Sequence, residues 1–410
     1  MKKSALLLLI LGASVSNTTS RFTIIDTSKG PKKNNQPYSV TTPILLDHNR
    51  ITIAAGVYLP GGKTKQIKVW VDNGTPDMAI SQRLANELAL VTKHTKKGDN
   101  ATTPPKKIFI GGLRLDLSKL QQVEVEKGST VGSGMKADMN LPSSVLCNYD
   151  ITIDYPGRLL TIAKPGNLHF SGKAVHGYFN PKNHLIQLPA KLGDNHFNLA
   201  LDAGTPVSFI DNKLVSKFSR DHPSWPYMYG AVGITNLWGL EDETNWRLLR
   251  VGQLCYGDIS FPDVIMVSFP ANRLDYFQKR AGILTAGLMG AASLLNYRIG
   301  IDYTHGVVYF ERLTKPVDPG MNLVGLTLRP EASGGYSVLG VSLYKGQPAI
   351  TGVSKGDILL KVDDKNVNGL TMGAVWSLLR GTPGTIHKLT VMRQGEKLVV
   401  SAPTHCFLCS

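Results

Sequence analysis

Cysteine is scarce, with four residues in a chain of 410. That excludes a disulfide scaffold and the dense Cys/His spacing of structural zinc sites. Cys406 and Cys409 form a Cys-x-x-Cys within the last residues, where too little chain follows to build a redox or metal site around it. Cys147 and Cys255 sit in strand-like context and read as buried free thiols. The ten histidines show no ligand spacing, and no glycine-rich phosphate loop precedes a helix, so no metal, nucleotide or other cofactor is expected. Charge of one sign is not clustered either. The net charge is +15, yet the lysines occur only as short pairs such as Lys32-Lys33, Lys96-Lys97 and Lys106-Lys107. A nucleic-acid binder would gather them along one face, so no nucleic-acid partner is expected. The only long apolar run, Ala5 to Val15, is too short to span a bilayer, which takes about 20 residues. Following Met1-Lys2-Lys3 and ending in small residues, it reads as a signal peptide over residues 1–20, and the mature chain as exported, periplasmic or secreted, without a transmembrane segment.

Apolar residues make up 42% of the chain and charged residues 18%, the balance of a packed globular protein. The 41 glycines suit a strand-rich, turn-rich one.

The chain repeats itself. Ile67 to Pro76 ends an apolar-alternating strand in Asp-Asn-Gly-Thr-Pro, and Phe197 to Pro206 ends one in Asp-Ala-Gly-Thr-Pro. Each turn leads into a second apolar stretch (Met78 to Ile80, Val207 to Ile210) and then a helix, Gln82 to Leu90 or Asn212 to Phe218. The copies also end alike: Leu146 to Tyr155 matches Leu294 to Tyr303, and each is followed by a turn and a closing strand, Leu159 to Ala163 or Val307 to Glu311. From turn to closing aspartate the first copy spans 82 residues and the second 100. The extra length is placed near Trp225 to Trp246, rich in Trp, Tyr, Pro and Gly. Beyond Glu311 the texture changes. Pro316, Pro319 and Gly320 mark a linker, and short strands, a helix over Met372 to Leu379 and a hairpin over Lys388 to Val400 follow.

One Asp-x-Gly turn is an ordinary turn. Two, carried by a repeat, can be brought together on a twofold axis. Paired carboxylates cannot both ionise easily, so they share a proton and act as acid and base. Such a pair can activate water against a peptide carbonyl.

These turns, with the later Ala286-Gly287-Leu288-Met289-Gly290 stretch, resemble those of retropepsin-like and pepsin-like aspartic peptidases. Gly325-Leu326-Thr327-Leu328 and Gly356-Asp357-Ile358-Leu359 resemble the carboxylate loop and a later strand of a PDZ domain. The whole is similar to bacterial secreted proteins with two such halves and a C-terminal PDZ domain. The resemblance implies a mainly β fold: two retropepsin-like β-barrel lobes related by a pseudo-twofold, then an α+β PDZ domain. The divisions are an N-terminal arm over 21–40, lobe 1 over 41–165, lobe 2 over 166–314, a linker over 315–323, the PDZ domain over 324–403 and a tail over 404–410. Asp72 and Asp202 would be the catalytic dyad. Asn73, Gly74 and Thr75 would support one turn, and Ala203, Gly204 and Thr205 the other. Gly325, Leu326, Thr327 and Leu328 would receive a peptide C-terminus in a groove between the strand near Tyr336 to Leu339 and the helix near Met372 to Leu379.

The match is not complete. The family places Thr or Ser after each Asp, where its hydroxyl bonds across the two lobes; here Asn73 and Ala203 stand there. Met139 and Pro142 occupy the places of Gly287 and Gly290, and a proline is expected to alter the loop behind the first turn. Two readings stay open: an aspartic endopeptidase acting on a polypeptide substrate, or a catalytically degenerate scaffold that binds one. The Trp225 to Trp246 insertion, with Trp225, Tyr227, Tyr229 and Trp238, reads either as a flap over the dyad or as a half-buried surface loop. The place of a first-lobe flap, Gly98 to Pro105, offers no aromatic anchor.

Overall fold

The computed structural model describes residues 37–94, 100–120, 122–127, 131, 134–281, 285–316, 318 and 320–409. Residues 1–20, read as a signal peptide, and residues 21–36 of the expected arm lie outside them. The fold class is the expected one: mainly β, with two sheet-built lobes and an α+β unit at the C-terminal end.

The two copies meet in one six-stranded sheet. Its order is Ser39–Pro43, Leu159–Ala163, Asp150–Asp154, Tyr297–Asp302, Val307–Arg312, Lys173–His176. Each copy supplies three strands. At the centre Asp150–Asp154 pairs antiparallel with Tyr297–Asp302, and Thr152 lies opposite Gly300, its counterpart in the repeat. The pseudo-twofold therefore passes between those two residues. Alternating Ile151, Ile153, Ile299 and Ile301 bury one face of this seam.

Within each lobe the strand that carries the Asp turn runs parallel to a later strand. Thr64–Asp72 pairs with Met139–Pro142, and Asn195–Leu201 with Gly287–Met289. The same register in both copies aligns Met139 with Gly287. Both turns are thus seated at the ends of central strands, whose last residues before the turn are buried. The turn leads into Ala79–Ser81 or Ser208–Asp211, and then into the helices Gln82–Glu87 and Asn212–Asp221, capped by the side chains of Ser81 and Asp211. The added length of lobe 2 lies mostly between Asp221 and the strand Arg247–Tyr256, with the rest in a helix, Ala271–Ala281.

The C-terminal unit is a six-stranded sheet with the strand Leu326–Pro330 at one edge, next to Tyr336–Val341, and, among the described residues, one helix, Met372–Leu378. Of residues 404–410, expected to be a tail, 404–409 belong to it. His405–Cys406 pairs with Asn322–Leu323, Cys406 and Cys409 are joined, and Phe407 is buried. The apolar Phe407 and Leu408 drive this docking, which short-range patterning did not reveal. Cys147 and Cys255 are free but half-exposed rather than buried.

The C-terminal unit does not stand apart. Its core residues Leu326, Leu328, Val375 and Trp376 share one apolar cluster with Val232, Ile234, Leu237 and Trp246 of the lobe 2 insertion. Thr371 both caps the helix and donates to Asp47 of lobe 1 (3.0 Å).

Candidate functional site

Asp72 closes its strand and Asp202 follows directly on its own. Both are buried, 6% and 4% exposed. A methyl group built on Gly74 would strike the Asp202 carboxyl, and one built on Gly204 would strike that of Asp72. Each turn therefore lies against the aspartate of the other, and glycine is required at the contact. Gly204→Ala drives Cβ into the Asp72 side chain. It is expected to lower the melting temperature by several degrees and to remove whatever activity the pair has, measured by calorimetry and by substrate turnover.

The cross-lobe bonding is one-sided. The Asn73 amide donates to the Leu201 carbonyl (3.0 Å), and its oxygen accepts from the Ala203 amide (2.7 Å). The indole of Trp70 donates to the Gly204 carbonyl (3.2 Å). One lobe thus supplies the side chains for both directions of the contact, and Ala203 takes part through its main-chain amide alone. A planar amide carries donor and acceptor together, which a hydroxyl shares with a partner.

The loop behind the first turn is not altered by Pro142. Ser143 N donates to Thr75 O (2.9 Å), as Ala291 N does to Thr205 O (2.8 Å). Pro142, at φ −83°, fits this extended path. The amide it lacks is one that Gly290 gives to the Ser208 hydroxyl (3.1 Å), off the turn itself. The supporting threonines differ in use. Thr205 donates to Asp202 Oδ2 (2.5 Å), whereas the hydroxyl of Thr75 accepts from Asp77 N (3.4 Å).

Burial pushes the Asp202 carboxyl above the usual range, against the opposing pull of the Thr205 and Gly204 donors. A second charge enters from a residue the sequence reading did not single out. Arg50 begins the strand Arg50–Tyr58, directly after a hairpin turn in which His48 and Asn49 both take positive φ. It is 2% exposed and lines the same cavity as the two aspartates. Burial pulls its pKa down to about 10, so it stays protonated at neutral pH, and the charges of Asp47, Asp72 and Glu243 oppose that fall. Its Nε and Nη2 have no hydrogen-bond partner. The only sequence signal is an arginine flush with an otherwise apolar run.

The cavity holds about 200 Å³ and is roofed by Leu237, Trp238, Phe269 and Leu288. That is below the roughly 300–1,000 Å³ of ordinary ligand sites. Of the four aromatics expected in a flap, Trp238 reaches it. Trp225, Tyr227 and Tyr229 do not line it; Trp225 stacks on His222 with ring centroids 3.9 Å apart, and Tyr227 and Tyr229 meet edge to face. Ala101 to Pro105 line a different groove on lobe 1, which lies on Tyr58, Leu88 and Leu90, while residues 98 and 99 lie outside the described residues.

The insertion is tied down by Glu243, fully buried. One carboxylate oxygen accepts from Asn236 Nδ2 (2.6 Å) and Leu237 N (2.9 Å), the other from Trp238 N (2.8 Å) and Leu240 N (3.1 Å).

At the C-terminal unit the edge strand, the glycine turn before it and the single helix beside it stand in the arrangement of a peptide-binding module. Residues 322–404 match the family model of the PDZ domain. No curated protein matches the chain. Among solved structures, an aspartic proteinase from Irpex lacteus is similar at 12% identity over 68% of this chain and 100% of that one, with a TM-score of 0.39. A photosystem II D1 C-terminal processing protease is similar at 21% identity over 20% of this chain and 23% of that one, with a TM-score of 0.18.

The PDZ groove is not where the sequence placed it. Tyr336–Val341 is paired on both sides, by Leu326–Pro330 and by Ile358–Val362, and cannot take a further strand. The open edge is Leu326–Pro330, beside the helix Met372–Leu378. Two of its loop amides are already engaged. Leu326 N donates to Val324 O (2.9 Å), and Leu328 N donates to Asn236 Oδ1 (2.8 Å). Thr327 Oγ1 donates to Ala231 O (2.8 Å). Gly325 is packed against Phe407 and Ala349.

Proposed function

We propose that the protein is an aspartic endopeptidase in which Asp72 and Asp202 share one proton and activate a water against a peptide carbonyl, with the PDZ domain binding a polypeptide C-terminus. The observation that carries this reading is the mutual packing of the two turns, each glycine against the opposite carboxyl, at the floor of a cavity. Burial favours the neutral form of Asp202, and the Arg50 cation lies in the same cavity, attracted by the charge of Asp72. Asp202 is then the acid that protonates the carbonyl oxygen. Asp72 is the base that takes the proton from water as its oxygen bonds to the carbonyl carbon. Collapse of the tetrahedral intermediate returns a proton to the departing nitrogen. No hydroxyl beside the dyad is needed for this chemistry. The PDZ domain takes its ligand by strand addition at Leu326–Pro330. Export, directed by residues 1–20, belongs to the same proposal and accords with the joined Cys406 and Cys409.

The test is hydrolysis of unfolded casein between acidic and neutral pH by the mature chain and by Asp72→Asn and Asp202→Asn. Each substitution should reduce turnover by at least about 10³-fold. Cleavage that survives both sinks the dyad. The second reading, a polypeptide-binding scaffold, is favoured by the small cavity at the aspartates. It is the outcome if no cleavage occurs at any pH, with or without a ligand on the PDZ edge, while casein is still bound.

Stability supplies an independent check on Asp202. Its folded carboxyl binds a proton more tightly than the unfolded one does. Its ionisation therefore costs stability as pH rises from the unfolded pKa, near 3.9, through the higher folded value, and the cost is complete above it. Asp202→Asn is expected to raise the melting temperature at neutral pH. The gain should vanish toward pH 3, as scanning calorimetry at both pH values would show.

A further inference from the structure

The lobe 2 insertion touches two sites at once. At its start, Ala231 O and the Asn236 side chain take the Thr327 hydroxyl and the Leu328 amide of the PDZ edge strand. The short turn of helix Gly233–Thr235 between them lies against Leu323, at the entrance to the groove, and against the helix Met372–Leu378. A few residues on, Leu237 and Trp238 roof the Asp72–Asp202 cavity. Glu243 joins the halves. The same carboxylate oxygen that holds Asn236 Nδ2 holds Leu237 N, and the other holds Trp238 N. Asn236 therefore cannot leave Leu328 without loosening the roof of the cavity.

We propose that the edge Leu326–Pro330 is a docking site for an incoming polypeptide strand that the protein's own insertion occupies in its absence, and that docking there withdraws Leu237 and Trp238 and opens the dyad cavity. This rests on the reading of Asp72 and Asp202 as a peptidase pair. Three things specify the partner as polypeptide. The Leu328 amide points away from the sheet, on the side of Leu326–Pro330 that has no neighbouring strand. What it holds now is an amide carbonyl, the group a strand would offer. The residues beside it, Leu326, Leu328, Met372 and Val375, are apolar and buried in one cluster with Val232, Ile234 and Leu237 of the insertion, so withdrawing the insertion uncovers an apolar face suited to alternate side chains of an extended chain. The insertion meets these needs with one side-chain carbonyl and one main-chain carbonyl in place of a full ladder. A strand that pairs along the edge supplies more bonds and displaces it.

The closed state can be locked. A Cβ on Gly340 of the strand Tyr336–Val341 would lie 3.6 Å from Cβ of Thr244 in the insertion, within the Cβ–Cβ range of about 3.5–4.5 Å that a disulfide takes. Three full-length forms are compared: wild type, Asn236→Ala, and the Gly340→Cys/Thr244→Cys pair, oxidised and reduced. Wild type under the same reductant controls for Cys406–Cys409. The probe is a pool of short random peptides with free C-termini. The readouts are peptide binding, hydrogen exchange at the amides of Leu237, Trp238 and Leu240, and casein hydrolysis.

Peptide should accelerate exchange at those three amides at least tenfold in wild type and raise casein turnover at least tenfold. Asn236→Ala should bind the pool at least tenfold more tightly than wild type and show raised turnover without peptide. The oxidised pair should lose peptide stimulation and regain it on reduction. Peptide that binds the PDZ domain while the three amides stay protected overturns the coupling. Failure of the pool to bind even Asn236→Ala overturns the docking site. Amides that open on peptide binding while casein stays intact would uphold the coupling and remove the peptidase reading instead.

Discussion

Asn73→Ala is expected to lower the melting temperature by roughly 6–10 °C and turnover by at least about 10²-fold. The side chain removed satisfies two buried main-chain groups of the opposite lobe, Leu201 O and Ala203 N. Leaving a buried group unpaired costs about 1–3 kcal/mol. Two such bonds, spanning 128 and 130 residues of sequence, put the total near 3 kcal/mol. The effect on turnover follows because these bonds set how the two turns lie against each other, and misplacement by a fraction of an ångström spoils a shared proton. Ala203→Ser, which removes no bond, should change stability by less than about 1 kcal/mol. Calorimetry and casein turnover on both variants check the asymmetry. Equal effects at the two positions would contradict a grip supplied from one side.

Glu243→Ala should have the largest local effect in the molecule. It strips acceptors from four donors at once: Asn236 Nδ2 and the amides of Leu237, Trp238 and Leu240. Bonds to a charged acceptor contribute about 1.5–3 kcal/mol each, and their sum exceeds what holds a loop of this length. The loop is therefore expected to open rather than remain with unpaired groups, so exchange at the three amides should rise at least about 10²-fold while the core sheets keep their protection. Glu243→Gln retains one acceptor oxygen and turns an NH2 toward two donors, so it should fall between. If the amides of Glu243→Ala exchange as in wild type, the carboxylate does not organise the loop.

The repeat, the two turns and the strands that carry them were legible because each has a local signature: alternation, a fixed turn and the same order twice. The strands Leu159–Ala163 and Asp150–Asp154 lie where alternation put them. What could not be read depends on partners far along the chain. Asn73 looked like a departure because the sequence shows the residue that is missing and not the bonds it makes. Glu243 stands in Glu241-Asp242-Glu243, a run that reads as solvated, and only one of the three is buried. Arg50 gave no signal beyond its apolar neighbours. Tyr336–Val341 is the more apolar of the two strands and so reads as the better groove wall, but which strand is an edge is decided by a third strand that pairs with it.

The seam where Thr152 meets Gly300 bears on how anything enters this protein. The lobes do not merely touch there; a single ladder runs through both, five residue pairs wide at the axis and three strands deep on either side. Parting the lobes would tear that ladder, so the molecule has no jaw. On the proposal above, entry to the space between the aspartates is a matter of moving Leu237 and Trp238 of the insertion while Phe269 and Leu288 stay in the sheet, a motion that loops accomplish in nanoseconds to microseconds over a base as stiff as the middle of any sheet.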